Sequence, residues 1–148
     1  MYRHLLVPTD GSKLSNKAIA AAVDLAKSLG ARLTGVYVIP PYSPTMYGEA
    51  LMYAPAISPA SHREAFKREG KKALDVVQSV AGAAGVDSGR ATLAAFYPWE
   101  GILRTAKAKK CDLVVMASHG RRGIAGLILG SETTKVLTHS KVPVLVCR

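Results

Sequence analysis

Residues 111–134 read CDLVVMASHGRRGIAGLILGSETT, and the reading of this stretch decides the fold. A short apolar run, Leu113-Val114-Val115-Met116, empties into Ala117, Ser118, His119 and Gly120. Glycines then recur at 120, 123, 126 and 130, the last directly before Ser131-Glu132-Thr133-Thr134 and a helical Lys135-Val136-Leu137-Thr138-His139. A strand that feeds a glycine-rich turn and then a helix is the build of a phosphate cradle. Glycine lets the backbone approach an anion and turn its N–H groups toward it. The unpaired N–H groups and positive dipole end of the following helix complete such a site.

Outward from this stretch the chain alternates. Downstream, Val142-Pro143-Val144-Leu145-Val146 reads as a last strand. Upstream, Trp99 to Lys109 is a helix using Ile102, Leu103 and Ala106, and Arg90 to Phe96 is a strand. Ser61 to Ala84 shows helical periodicity, with Phe66, Ala73, Val77, Val80 and Ala81 on one face. Ala31 to Ile39 is a strand. Ser15 to Leu29 is a helix with Ser15 as its N-cap and Gly30 as its stop, preceded by the turn Thr9-Asp10-Gly11-Ser12 and the strand Arg3 to Pro8. Between 40 and 60 the pattern breaks. PPYSPTMYGEALMYAPAISPA holds five of the eight prolines, three of the six tyrosines and two of the four methionines. It reads as a long loop with one helical turn near Glu49 to Met52, of the kind that serves as a lid or an interaction segment.

Near-continuous apolar strands alternating with helices imply an α/β fold, a parallel sheet covered on both faces. In such doubly wound sheets ligands bind beyond the carboxyl ends of the strands, where strand order reverses. The first and fourth strands end in the two most site-like turns, so the expected crevice collects Asp10, hydroxyls and a glycine-lined helix start. Backbone N–H groups at Gly120 and Gly130 and the Ser131 hydroxyl suit phosphates. Asp10 would be repelled by bare phosphate, and so should meet ribose or base, or reach phosphate through a divalent cation. Asp10 is equally a turn or capping residue by type, and Ser131 an N-cap. His119 lacks a carboxylate or nucleophile partner in sequence, and Ser118 lacks a GxSxG setting. There is no GxxxxGK[ST] run and no GxGxxG after the first strand.

Composition bounds the rest. With 148 residues, 49% apolar and 20% charged, the expectation is one domain, 1–148, with a self-sufficient core. No apolar run approaches membrane-spanning length and no cleavable secretory pattern opens the chain, so a cytoplasmic protein is expected. Cys111 and Cys147 fit no metal-ligand or redox spacing, and His4, His62 and His139 form no ligand set. The net charge of +10 favours polyanions. Its cations are spread over helices without interleaved aromatics, which reads as solvated helix faces rather than dedicated nucleic-acid binding.

These residues carry a family resemblance. Val7-Pro8-Thr9-Asp10-Gly11-Ser12, Tyr37-Val38-Ile39, Cys111 to Gly120 and Val142 to Val146 together resemble a universal stress protein of the UspA type. ATP-binding members carry G-x2-G-x9-G-[ST]. Here Gly120, the nine residues Arg121 to Leu129, and Gly130-Ser131 fit, while Ala117 replaces the first glycine. The resemblance implies a Rossmann-like five-stranded sheet ordered 3-2-1-4-5, a homodimer through the last strand, an unidentified protein partner and a protective or regulatory role under stress. It implies ATP, with Mg or Mn, as ligand. Asp10 would contact the nucleotide, Val38 would meet adenine through its backbone, and Gly120, Gly130 and Ser131 would hold phosphates. The candidate set is completed by Pro8 and Thr9, by Met116, Ala117, Ser118, His119, Arg121 and Gly123, and by Glu132 and Thr133. No catalytic residue and no resident metal ligand are assigned, Asp10 reaching a cation only through the nucleotide. Ala117 is tolerable at negative φ and costly at positive φ. It motivates an alternative reading, a nucleotide-free dimeric scaffold whose 40–60 loop fills the crevice. Slow ATP hydrolysis is a further option that lacks an evident base.

Overall fold

The computed structural model describes residues 1–48, 57–119 and 129–148. Five strands form one parallel sheet: β1 His4–Pro8, β2 Arg32–Ile39, β3 Ser88–Ala94, β4 Leu113–Ala117 and β5 Val144–Cys147. They are arranged β3-β2-β1-β4-β5. The helices are α1 Lys13–Leu29, the single turn α2 Pro44–Tyr47, α3 Pro59–Ala84, α4 Pro98–Lys109 and α5 Ser131–His139. Strand order runs outward one way from β1 through β2 and the other way through β4, so the reversal falls between β1 and β4.

Two buried layers follow from the period of two along the strands. Leu5, Val7, Leu33, Leu113 and Val115 face α1 and α3, where Ile19, Ala22, Val23, Ala26, Val77 and Ala81 cover them. Leu6, Val36, Val114 and Met116 face the other way, under Ile102 and Ala106 of α4 and Val136 of α5. Both faces of the central strands are therefore apolar, which is why β1 and β4 read as unbroken runs. Close approach of α4 to β2 depends on Gly101. A Cβ there would stand 2.7 and 2.9 Å from the methyls of Val38, inside any real carbon contact.

Several boundaries differ from the sequence reading. Helix α1 starts at Lys13, and its N-cap is Ser12, whose Oγ accepts the Ser15 N–H at 3.1 Å. Gly11 at φ 78° makes the turn that brings Ser12 into capping position, and Ser15 becomes a buried first-turn residue. Strand β3 ends at Ala94 because its pairing with β2 ends at Ile39↔Ala94, which leaves Phe96 71% exposed. Helix α5 starts four residues before Lys135, with Gly130 as N-cap and Ser131 as its first residue. The helical turn in the long loop lies at Pro44–Tyr47. Glu49 to Met52, where it was expected, lie outside the described residues.

Candidate functional site

Beyond the carboxyl ends of β1 and β4 opens a cleft of about 730 Å³. It collects the turn after β1 (Pro8, Thr9, Asp10), the end of β4 (Met116, Ala117, His119) and the start of α5 (Gly130, Ser131, Glu132, Thr133). The two turns singled out in the sequence thus meet at the reversal of strand order. Val38 lines the same cleft. Gly120, Arg121 and Gly123 lie outside the described residues.

The β1 turn is fixed from within. The Thr9 hydroxyl oxygen accepts the Gly11 N–H at 3.1 Å and stands 3.2 Å from Ser15 Oγ, while Thr9 N–H donates to the Val36 carbonyl at 3.0 Å. Asp10 Oδ1 accepts the Ser12 N–H at 2.9 Å, a local turn bond, and Asp10 also lines the cleft. Asp10 is therefore a turn residue and a cleft residue at once.

The β4 side is tied to α5 through backbone. Gly130 N–H donates to Ser118 C=O at 2.7 Å, and Thr133 Oγ1 donates to Ala117 C=O at 3.0 Å. A Cβ on Gly130 would meet His119 Cα and Cβ at 3.2 Å and Ser118 O at 3.3 Å, so glycine eases this close approach and is not needed for φ, which is −73°. Having no side chain, Gly130 offers α5 no capping oxygen, and no side-chain cap bond forms. The N–H groups of the first turn and the positive dipole end of α5 consequently face the cleft. Ala117, at the position of the motif's missing glycine, has ordinary negative φ: among the described residues the only non-glycine residue with positive φ is Lys110.

Three candidate residues take roles the sequence did not reveal. Ser118 is 2% exposed and does not line the cleft. Its Oγ lies 3.2 Å from His119 Nδ1, so His119 does have a hydroxyl neighbour, but a buried one. Glu132 Oε2 accepts the Trp99 N–H at 2.8 Å. It substitutes for the cap that Tyr97, the N-cap of α4, fails to supply, while Oε1 is 3.9 Å from Lys135 Nζ. Trp99 in turn stacks on His139 at 4.8 Å, joining α4 to α5 as a packing anchor.

The apolar end of the cleft was not legible in sequence. Val36, Tyr37, Pro40, Met46, Phe66, Phe96, Pro98 and Ile102 line it, with Ser15 near the β1 turn. Pro40 and Met46 belong to the proline-rich loop, which is pinned by His62 of α3. His62 Nε2 donates to Pro40 C=O at 2.8 Å, and the Tyr47 hydroxyl bonds Nδ1. Tyr42 and Phe66 complete this aromatic group. The two cysteines lie away from it. Burial pushes the Cys111 thiol up to about 11 and raises that of Cys147, which keeps both protonated at neutral pH.

Comparison with known proteins settles the family. The model of the universal stress protein family matches residues 1–148. The chain belongs to the universal stress protein family. Universal stress protein YxiE of Bacillus subtilis is 35% identical over 149 residues, covering all of both chains. The crystal structure of a family member from Burkholderia pseudomallei superposes with a TM-score of 0.77 at 28% identity, covering 99% of this chain and 96% of that one. A universal stress protein solved in complex with cAMP has a TM-score of 0.66 at 26% identity, over 99% and 97% of the two chains. The Rossmann-like sheet ordered 3-2-1-4-5 is the family architecture, and it is the one found here. No described helix is long and apolar enough to cross a membrane.

Proposed function

We propose that the cleft binds an adenine nucleotide, ATP with Mg or Mn, and that occupancy regulates a stress-response protein acting in the cytoplasm as a homodimer through β5. The observation that carries this reading is the uncapped amino end of α5 held against Ser118–His119 by Gly130, on the same cleft as Thr9–Asp10. Phosphates fit the α5 end, where N–H groups and dipole favour anions. Val36, Tyr37, Phe66 and Met116 offer apolar surface for a base, and the Val38 backbone offers its edge a polar partner. Asp10 suits ribose hydroxyls, or a cation already held by phosphate oxygens. Among the described residues no group of three His, Cys, Asp or Glu side chains builds a resident metal site, so the ion would arrive with the nucleotide. The cAMP complex of a relative supports an adenine ligand of some kind.

Ala117 does not weaken this reading, since its backbone conformation is one alanine adopts freely. Turnover is not part of the proposal: Ser118 is buried and Glu132 is engaged in capping α4. Calorimetry with ATP and Mg²⁺ tests binding. Saturable heat with one site per chain is expected, and none at millimolar nucleotide would leave the scaffold reading in its place. An adenine absorbance and mass co-purifying with the protein would be independent support.

A further inference from the structure

A second groove, about 690 Å³, runs along the outer edge of the sheet, with Pro40, Pro41 and Tyr42 in its lining. Its walls are β3, through Arg90, Thr92 and Ala94, and α3, through Arg63, Lys67 and Lys71. On the helix the three cations stand four residues apart and are exposed. Lys71 and Arg90 share the Asp75 carboxylate, at 2.8 and 3.1 Å. Arg63 and Lys67 have no ion-pair partner among the described residues.

The strand side is equally specific. β3 is an edge strand. In a parallel ladder a residue's N–H and C=O point to the same side, and successive residues alternate. Leu33 N–H donates to Asp87 C=O and Ala95 N–H to Ile39 C=O, so the odd-numbered residues of β3 bond β2. Arg90, Thr92 and Ala94 therefore turn their backbone groups outward, and they take no backbone partner among the described residues. Their side chains lie on the α3 face, as the Arg90–Asp75 pair shows.

We propose that this groove docks an extended acidic segment of a partner protein. The segment adds as a strand to the free edge of β3 and presents carboxylates on alternate residues to Arg63, Lys67 and Lys71. The spacings agree: four helical residues rise about 6 Å, and alternate strand residues lie about 6.6 Å apart. Edge addition uses main-chain hydrogen bonds for affinity and alternate side chains for selection. A row of peptide donors and acceptors suits a peptide rather than a nucleic acid. Tyr42, an aromatic lining the groove, is already in ring contact with Tyr47 and His62 and is not free to stack on bases.

The probe is a fluorescein-labelled decapeptide alternating Glu and Val, titrated into the full chain at low salt and read by anisotropy and by amide NMR shifts. Binding is expected, with shifts at Arg90, Thr92 and Ala94. The double variant Arg63→Glu, Lys67→Glu should weaken it about tenfold or more. Thr92→Pro should abolish it while leaving the melting temperature nearly unchanged, because proline is tolerated where an edge-strand N–H faces outward. A fully N-methylated peptide keeps its carboxylates and should not bind, a control that alters nothing in the protein. The proposal is overturned by absent binding at millimolar peptide, by equal binding of the N-methylated peptide, or by shifts elsewhere. Equal or tighter binding of a single-stranded oligonucleotide of the same charge at these residues would also overturn it.

Discussion

The two ends of the parallel sheet treat polar groups differently. At the amino end, Asp112 accepts the N–H groups of Arg3 at 2.8 Å and His4 at 3.0 Å, while Asp112 N–H donates to His4 C=O. His4 is 5% exposed and pairs its Nε2 with Thr34 Oγ1 at 2.8 Å. Side chains close that end over backbone. At the carboxyl end, β1 stops at Pro8 and β4 at Ala117, glycine stands at the N-cap of α5, and the first residues of α5 line a cleft. The amino end is finished by its own residues, whereas at the carboxyl end the turn after β1 and the start of α5 line a cleft. That difference, among the described residues, is what the proposed nucleotide site rests on.

The contrast can be broken most forcefully at Asp112. Asp112→Ala removes a carboxylate from two N–H groups and should cost about 2 kcal/mol, read by urea unfolding at pH 7, with nucleotide affinity unchanged. A parallel loss of affinity would show that the two ends are not independent.

Acid sharpens the same contrast. Burial is the largest influence on Asp112 and opposes its charge, but the Arg3 and His4 N–H groups outweigh it and hold its pKa below the usual value. Stability from Asp112 is present above the ordinary carboxylate pKa and is lost as pH falls through the lowered one. Burial and the nearby Arg32 lower the pKa of His4 from 6.5, so below that pH the unfolded chain takes up a proton that the folded one refuses. Stability should therefore fall on acidification from pH 7, by at most about 1.4 kcal/mol per pH unit for each proton. His4→Gln should flatten the portion just below pH 6.5. An unchanged slope would remove His4 from the account.

At the open end, Gly130→Ala places a methyl 3.2 Å from His119 and shifts the start of α5. We expect roughly tenfold weaker nucleotide binding, about 1.4 kcal/mol, with little change in melting temperature. Full affinity in this variant would dissociate the α5 end from the phosphates. The smallest effect belongs to Ala117→Gly. At negative φ it should cost about 0.5–1 kcal/mol of stability through chain entropy and leave affinity within about twofold. Affinity that arises only in this variant would favour the nucleotide-free scaffold.

Legibility followed the range of the forces involved. The Thr9–Ser12 turn was readable because turn chemistry is local. The boundary errors at Ser15, Phe96 and Lys135 arose where a partner decides: Ser12 caps because Gly11 bends the chain, and Phe96 leaves the sheet because β2 has ended. Glu132, one of the candidate nucleotide residues, lines the cleft, and its carboxylate also caps a helix 33 positions away in sequence, which no spacing rule reaches. His62 was read as scattered, yet it pins the loop that supplies Pro40 and Met46 to the cleft.

Alternating apolar runs and helical periodicities determined that this protein is a parallel α/β sheet, because burial on two faces imposes that pattern on the residues themselves. Tertiary structure alone decided which turns share a cleft and where a cationic helix runs beside an edge strand. Those depend on strand order and register, and these are set by packing between segments far apart in the chain.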